Sequence, residues 1–317
     1  MLMREQKILV AILCGAILFF VGRSAVASDR ENVVVLPSPE GRIPNSVSVE
    51  ETIISINDRN VSVKFKTMNP TSDTSSRIAI YPPRFSWGGF GVAYFDKHFP
   101  ELAIFSDGKK MHLLSNTTAY LHGKDVSPML IKNKIDPLLV GDDAALIPAK
   151  TMHRKSLVSL VKHGLFELHD GNLYAAWSAQ AAYSWEQRFP AKMPTTIEMK
   201  YRARPAYEVF ETASHQLRGL ISLHCAKPES ILPLLKDERG EITDYLLVER
   251  YVISTALAGH QSNNIALSFS PSSVLGVKPM MALACNGENM VVGRPSINNA
   301  VINNRLGQIS ILVLSLQ

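Results

Sequence analysis

The sequence predicts a mainly β fold of antiparallel, sandwich-like sheets with a small helical insertion, and three observations carry that reading. Residues 46–68, SVSVEETIISINDRNVSVKFKTM, alternate apolar and polar side chains: Val61, Val63 and Phe65 interleave with Ser62, Lys64 and Lys66. Period two marks a strand with one buried face. Toward the end of the chain, YLLVERYVIST, NIALSFS, MMALAC, MVVG and ISILVLSL follow one another, separated by clusters of Gly, Asn, Ser and Pro, the spacing of a sandwich or barrel. Helical spacing, by contrast, is confined to a few short stretches in the middle. An α+β arrangement is the alternative.

The opening residues place the chain before they describe its fold. Arg4 and Lys7 precede an apolar run from Ile8 to Gly22, and Ala25, Val26 and Ala27 supply small residues for cleavage. This is the layout of a secretory signal peptide over residues 1–27, with a mature chain from Ser28. The run is too short to span a bilayer, so no membrane-spanning segment is expected after cleavage. Leu13 before Cys14 argues against a lipid-attachment cysteine. Residues 28–317 then form one β-rich secreted domain with its helical insertion at about 124–170.

Removal of the leader leaves Cys225 and Cys285, which in an oxidising compartment are expected to pair. Closing a loop of that size stabilises by about 4 kcal/mol in the chain-entropy model. A metal or redox role is the alternative, but the CxxC spacing of redox cysteines is absent. Net charge is +5 with pI near 9.0. The Lys and Arg residues are scattered rather than clustered, which argues against a nucleic-acid partner.

Element by element, NDRN at residues 57–60 is a turn that folds the 46–68 stretch into an antiparallel hairpin. RIAIY continues as a strand to Tyr81, where Pro82 and Pro83 end it, because neither can donate to a sheet ladder. Ser127 and Pro128 cap and open a helix closed by Pro137. Ser156 opens a second, which Gly164 stops. PESILPLLKDE is a third, limited by Pro233, and Gly141 to Ala149 is a linker. Tyr183, Trp185 and Phe189 share one face of an extended segment, and Ile197, Met199 and Tyr201 share one face of the next. Read as a hairpin, these strands set Arg188 opposite Glu198 and Glu186 opposite Lys200 on a solvated face. The closing strand is expected to be central, since a continuous apolar run implies two buried faces. Cys285, at a strand end, ties that sheet to the segment after His224.

Motifs with a known chemistry are scarce. HExxH, GxSxG and phosphate-loop patterns are missing, and GGFG at 88–91 lacks the strand-to-helix setting of a phosphate cradle. His163, Glu167, His169 and Asp170 are of metal-ligating types, yet Gly164 breaks the helix that would align them. His215 and His224 flank an apolar segment beside Cys225, whose expected oxidation removes it as a nucleophile. Asp142 and Asp143 lack the alternation of a calcium loop. No cofactor is expected.

Trp87, Phe85, Phe90, Tyr94 and Phe95 form the densest aromatic set outside the expected strands. Folding back onto the core is the simpler expectation for them. They are also the foremost candidates for a surface that takes an envelope protein or a glycan. The function read from the residues is a periplasmic or secreted β-rich binding or accessory protein. The alternative is an envelope hydrolase with a motif-free site of His and acidic residues.

An early strand pair, GKDV at 123–126, GLF at 164–166 with DG after it, YSWEQRFPA at 183–191 and YRARP at 201–205 together resemble a secreted bacterial family. That family is catalogued as a domain of unknown function (number 4424). The sharpest part is WEQRFPA, Trp185 to Ala191, and the chain departs from the pattern at YPPRF, 81–85. The resemblance implies a shared fold, an envelope location and a cysteine pair in the last third, which Cys225 and Cys285 match. It implies no activity, cofactor or catalytic residue.

Overall fold

The computed structural model describes residues 34–36, 39–82, 85–86, 102–137, 154–169, 172–203, 207–236, 239–273, 276–303 and 307–316. In chain order the strands are β1 (Val34–Leu36), β2 (Pro39–Gly41), β3 (Ser48–Asn57), β4 (Asn60–Met68), β5 (Thr74–Ile80), β6 (Phe85–Ser86), β7 (Ala103–Ser106) and β8 (Lys109–Lys110). They continue as β9 (Leu114–Leu121), β10 (Lys124–Asp125), β11 (Phe166–His169), β12 (Asn172–Ala175), β13 (Ser178–Phe189), β14 (Pro194–Arg202), β15 (Tyr207–Glu211) and β16 (Tyr245–Ser254). The last are β17 (Ala256–Leu257), β18 (His260–Gln261), β19 (Asn264–Ser270), β20 (Pro279–Cys285), β21 (Met290–Gly293), β22 (Ile297–Asn303) and β23 (Gln308–Leu316). The described helices are α1 (Ser127–Lys132), α2 (Arg154–Lys162), α3 (His215–Leu223) and α4 (Pro228–Ile231), the last running on into a 3-10 turn, Leu232–Leu234.

Most strands assemble into three sheets. One has seven strands in the order β22-β19-β3-β4-β14-β7-β8. A middle sheet has the order β10-β9-β13-β5-β2, with β6 also on β13; a carboxy sheet has the order β1-β16-β23-β20-β21, with β15 also on β16. Pairing is antiparallel throughout these sheets except for β1 with β16 and β3 with β19. The architecture is therefore the mainly β, antiparallel sandwich the sequence predicts.

The main core lies between the seven-stranded sheet and the other two. Ile54, Val63, Phe65, Ile197, Met199 and Leu267 face Ile78, Ile80, Trp185 and Phe189 of the middle sheet and Tyr251, Ile253, Ile309 and Ile311 of the carboxy sheet. On its other side the carboxy sheet packs Leu246, Val248, Leu283, Leu312 and Leu314 against Leu217, Leu220 and Ile221 of α3 and Ile231 of α4. Alternate residues of β23 thus enter different cores, which is why ISILVLSL is apolar without a break, and the strand is central as expected. A third cluster joins Ala119 and Trp177 to Leu130 of α1, Leu160 of α2 and Phe166, whose ring meets the Trp177 indole edge-on at 5.3 Å.

The β3–β4 hairpin forms as expected. Its turn residues Asp58 and Arg59 have φ of 45° and 68°, the left-handed pair that matches strand twist. The expected hairpin of residues 183–201 does not form. β13 pairs with β5 and β9, and β14 with β4 and β7, so the two consecutive strands lie in sheets that face each other. Both present aromatic or large apolar side chains to the same core, and stacking buries both faces where an edge-to-edge hairpin would bury one. The charges separate accordingly: Arg188 pairs with Asp73 at 2.7 Å, Glu186 stands opposite Arg77, Glu198 opposite Lys64 and Lys200 opposite Ser62.

The helices also differ in detail. Ser127 is the first residue of α1 rather than its cap; its N–H donates to Asp125 Oδ1, and its hydroxyl accepts from the Ala119 N–H. α2 starts at Arg154, two residues before Ser156. Gly164, with φ of 73°, follows its end. α3 is not among the helices the sequence predicts. It is capped by Ser214, whose hydroxyl accepts the Leu217 N–H at 3.2 Å, and its Leu217, Leu220 and Ile221 keep helical spacing.

Candidate binding surface

The carboxy sheet is buried on both faces, and the middle sheet is capped at one end by α1 and α2. The outward face of the seven-stranded sheet is covered by no described element. Neighbouring strands lie about 4.8 Å apart, so seven of them span roughly 30 Å.

Register fixes what this face displays. One row across it reads Val301, Ala266, Ile53, Lys64, Glu198, Phe105, Lys110; the next reads Ser268, Ser55, Ser62, Lys200, Ala103. Asn57, Asn60 and Arg202 follow at the rim. Glu198 accepts from Ser62 Oγ at 2.8 Å and is approached by Lys200 at 3.3 Å and Lys64 at 4.0 Å. Partial burial would raise its carboxyl, but the Ser62 and Lys200 hydrogen bonds and the two lysine charges outweigh burial and hold it below the usual range. The Lys200 ammonium also lies 5.0 Å from the centre of the Phe105 ring. Glu51 and Lys66 pair at 2.5 Å, while Glu50 and Asp107 are exposed near the same end. Charge is close to balanced, and the face offers hydroxyls, amides and one cation–aromatic pair.

The described chain stops at Ser86 and resumes at Leu102, on either side of the aromatic stretch. Ser86 belongs to the middle sheet through β6, and the chain rejoins the seven-stranded sheet at β7, where Ala103 opposes Lys200 and Phe105 opposes Glu198. Trp87, Phe90, Tyr94 and Phe95 lie outside the described residues. Phe85 is described only through its backbone in β6, opposite Ala179. GGFG, Asp142 and Asp143 likewise lie outside the described residues.

The motif WEQRFPA proves to be architectural. Trp185 and Phe189 enter the main core. Gln187, 1% exposed, accepts from the Trp185 indole N–H at 3.3 Å and donates to Ser106 Oγ of the opposite sheet at 2.9 Å. Arg188 is paired with Asp73, which also accepts the Ala191 N–H; these two bonds hold the Asp73 carboxyl below its ordinary range. The buried Asn69 amide donates to the carbonyls of Ser72 and Phe189. The motif marks the place where the chain crosses from one sheet to the other.

Among the described residues the histidine sets are not gathered into a site. His163 is exposed just after α2 with Nδ1 donating to the Ser159 carbonyl at 2.6 Å, and Glu167 is exposed on β11. His169 lies on β11, and Asp170 is outside the described residues. Among the described residues no three His, Cys, Asp or Glu side chains gather as metal ligands. His224 is buried at the end of α3, where burial lowers its pKa despite a bond to the Leu220 carbonyl; His215 stands at the opposite end of that helix. Cys225 and Cys285 form the expected disulfide, with Cα atoms 5.8 Å apart. It joins the segment after α3 to the end of β20. Cys285 can reach it because it shares a face of β20 with Met281 and Leu283, the face that α3 covers.

Comparison with solved structures gives a likeness at 10% identity and TM-score 0.36 to a "putative nutrient binding protein" from Legionella pneumophila, covering 89% of this chain and 70% of that one. No curated protein matches the chain. A family model described as a domain of unknown function, DUF4424, matches residues 29–224, ending one residue before Cys225, so the cysteine pair lies outside the matched segment. The chain belongs to the DUF4424 family.

Proposed function

We propose that this chain is a binding module of the cell envelope, exported by a leader over residues 1–27. It takes an envelope protein or glycan at the outward face of the seven-stranded sheet and at the aromatic stretch Phe85, Trp87, Phe90 and Tyr94, which precedes β7 in the chain. The observation that carries this reading is that uncovered face. A sandwich needs only one face of each sheet for its core, and among the described residues helices cover the carboxy sheet while no element covers this wide face. The disulfide between Cys225 and Cys285 fits an oxidising compartment.

The test is a crosslinking pull-down from envelope extract with the mature chain and with Trp87→Ala, Phe90→Ala and Lys200→Glu. A defined partner captured by the mature chain, and lost in these variants while their melting temperatures hold, is the expected result. A partner retained by all three variants removes this surface from the reading, and absence of any partner removes the protein-binding form of it. Screening on envelope polysaccharides then decides the glycan form.

A further inference from the structure

At one end of the main core a buried carboxyl faces a half-buried arginine whose Nε is buried, and the two do not bond each other. Glu249 stands in β16 on the face that carries Leu247, Tyr251 and Ile253, is 2% exposed, and its Oε1 has no hydrogen-bond partner. Arg59 lies in the turn between β3 and β4 on the facing sheet, and its Nε is likewise buried and unpartnered. An unpaired buried acceptor costs about 1–3 kcal/mol, and a buried unpaired donor as much. Two such groups of opposite charge in one low-dielectric region attract strongly once both are ionised.

The other titratable groups around them come from each neighbouring element. Tyr251, two residues along β16, feels Glu249, Arg59 and Asp58, and burial lifts its hydroxyl well above the ordinary tyrosine range. Asp58 is exposed beside Arg59, and its N–H donates to the Ser270 carbonyl of β19. Tyr201, buried on β14, stands opposite Val61. Tyr207 of β15 is the cross-strand neighbour of Glu249 on one side, and Val313 of β23, apolar, on the other. Burial raises the Glu249 carboxyl to about 7, with Arg59 acting in the opposite direction.

The turn is placed to transmit a change. Its Arg59 carbonyl accepts the Ala203 N–H at 2.8 Å, at the end of β14 where the chain leaves the seven-stranded sheet for β15 of the carboxy sheet. We propose that Glu249 is a proton switch for this end of the sandwich: ionised, it draws the Arg59 side chain into an ion pair that fastens the β3–β4 turn to the carboxy sheet, and protonated, it releases it. Glu249 lies on the carboxy sheet, away from the outward face of the seven-stranded sheet, while the turn it fastens borders that face at Asn57 and Asn60.

The side chain of Arg59 itself reports the switch. In the full mature chain, the Nε–H resonance of Arg59, identified by its loss in Arg59→Lys, is expected to shift with a midpoint near pH 7, and to stay fixed between pH 5.5 and 8.5 in Glu249→Gln. Hydrogen exchange of amides 57–61, divided by the intrinsic rate at each pH, is expected to slow several-fold across the same range in the wild type alone. A resonance that stays fixed in the wild type overturns the proposal, as does one that moves equally in Glu249→Gln. Should Glu249→Gln fail to fold, a carboxyl titration of wild-type Glu249 with a midpoint near that of an exposed glutamate overturns it as well.

Discussion

Single residues in this protein are specified by which side of a sheet they occupy, and Glu249 is the case in which an ionisable group falls on the inner side. Its folded-state pKa of about 7 lies above the 4.5 of a free glutamate. Its contribution to stability is therefore complete below about pH 4.5 and is lost as pH rises through 7, a difference of about 3 kcal/mol over the whole window. Urea unfolding of the wild type relative to Glu249→Gln, followed from pH 4.5 to 8.5, is expected to show the wild type losing ground by about that amount. Parallel curves for the two proteins would contradict it. The position is hard to read in the sequence, because YLLVERYVIST carries its charged pair inside an apolar run. Only the parity of β16 puts Glu249 inward and Arg250 toward the other face.

At the scale of elements, the short strands are legible because period-two alternation and turn chemistry are local. The Asp58–Arg59 turn and the β3–β4 register are examples. Partnerships are less so. The stretch from Tyr183 to Arg202 reads as two amphipathic strands, but whether such strands pair edge to edge or stack face to face depends on what else needs a partner. Here β5, β9, β4 and β7 satisfy the ladders. α3 escapes a reading by periodicity because its buried apolar residues are only Leu217, Leu220 and Ile221, although Ser214 and the i, i+3, i+4 spacing are there to be read. The disulfide fastens the segment after that helix to β20. Replacing both cysteines with serine is expected to cost about 3–4 kcal/mol in urea unfolding, with α3 amides losing protection against exchange before those of β3 and β4. Unchanged α3 protection would show that the helix is held by the second core alone.

On the scale of the molecule, the family match ends at residue 224, yet the fold does not. β1 and β15, both within the match, find their partner in β16, and β3 pairs with β19. The main core likewise draws Tyr251, Leu267, Ile309 and Ile311 from beyond that point. A chain of residues 28–224 is expected to lack a cooperative thermal transition and to bind a hydrophobic dye, whereas residues 28–317 are expected to melt cooperatively. A cooperative melt of the truncated chain would make residues 29–224 an autonomous unit.

The sequence by itself determined the β class, the β3–β4 turn, the central place of ISILVLSL and the family, since each rests on local periodicity, turn chemistry or a contiguous motif. The tertiary structure alone decided that WEQRFPA is a crossing point between stacked sheets, that Glu249 lies inward toward the side of the Arg59 turn, and that no described element covers the outward face of the seven-stranded sheet. Those outcomes depend on pairings such as β3 with β19 and on facing layers, which join residues some two hundred positions apart and leave no periodic trace along the chain.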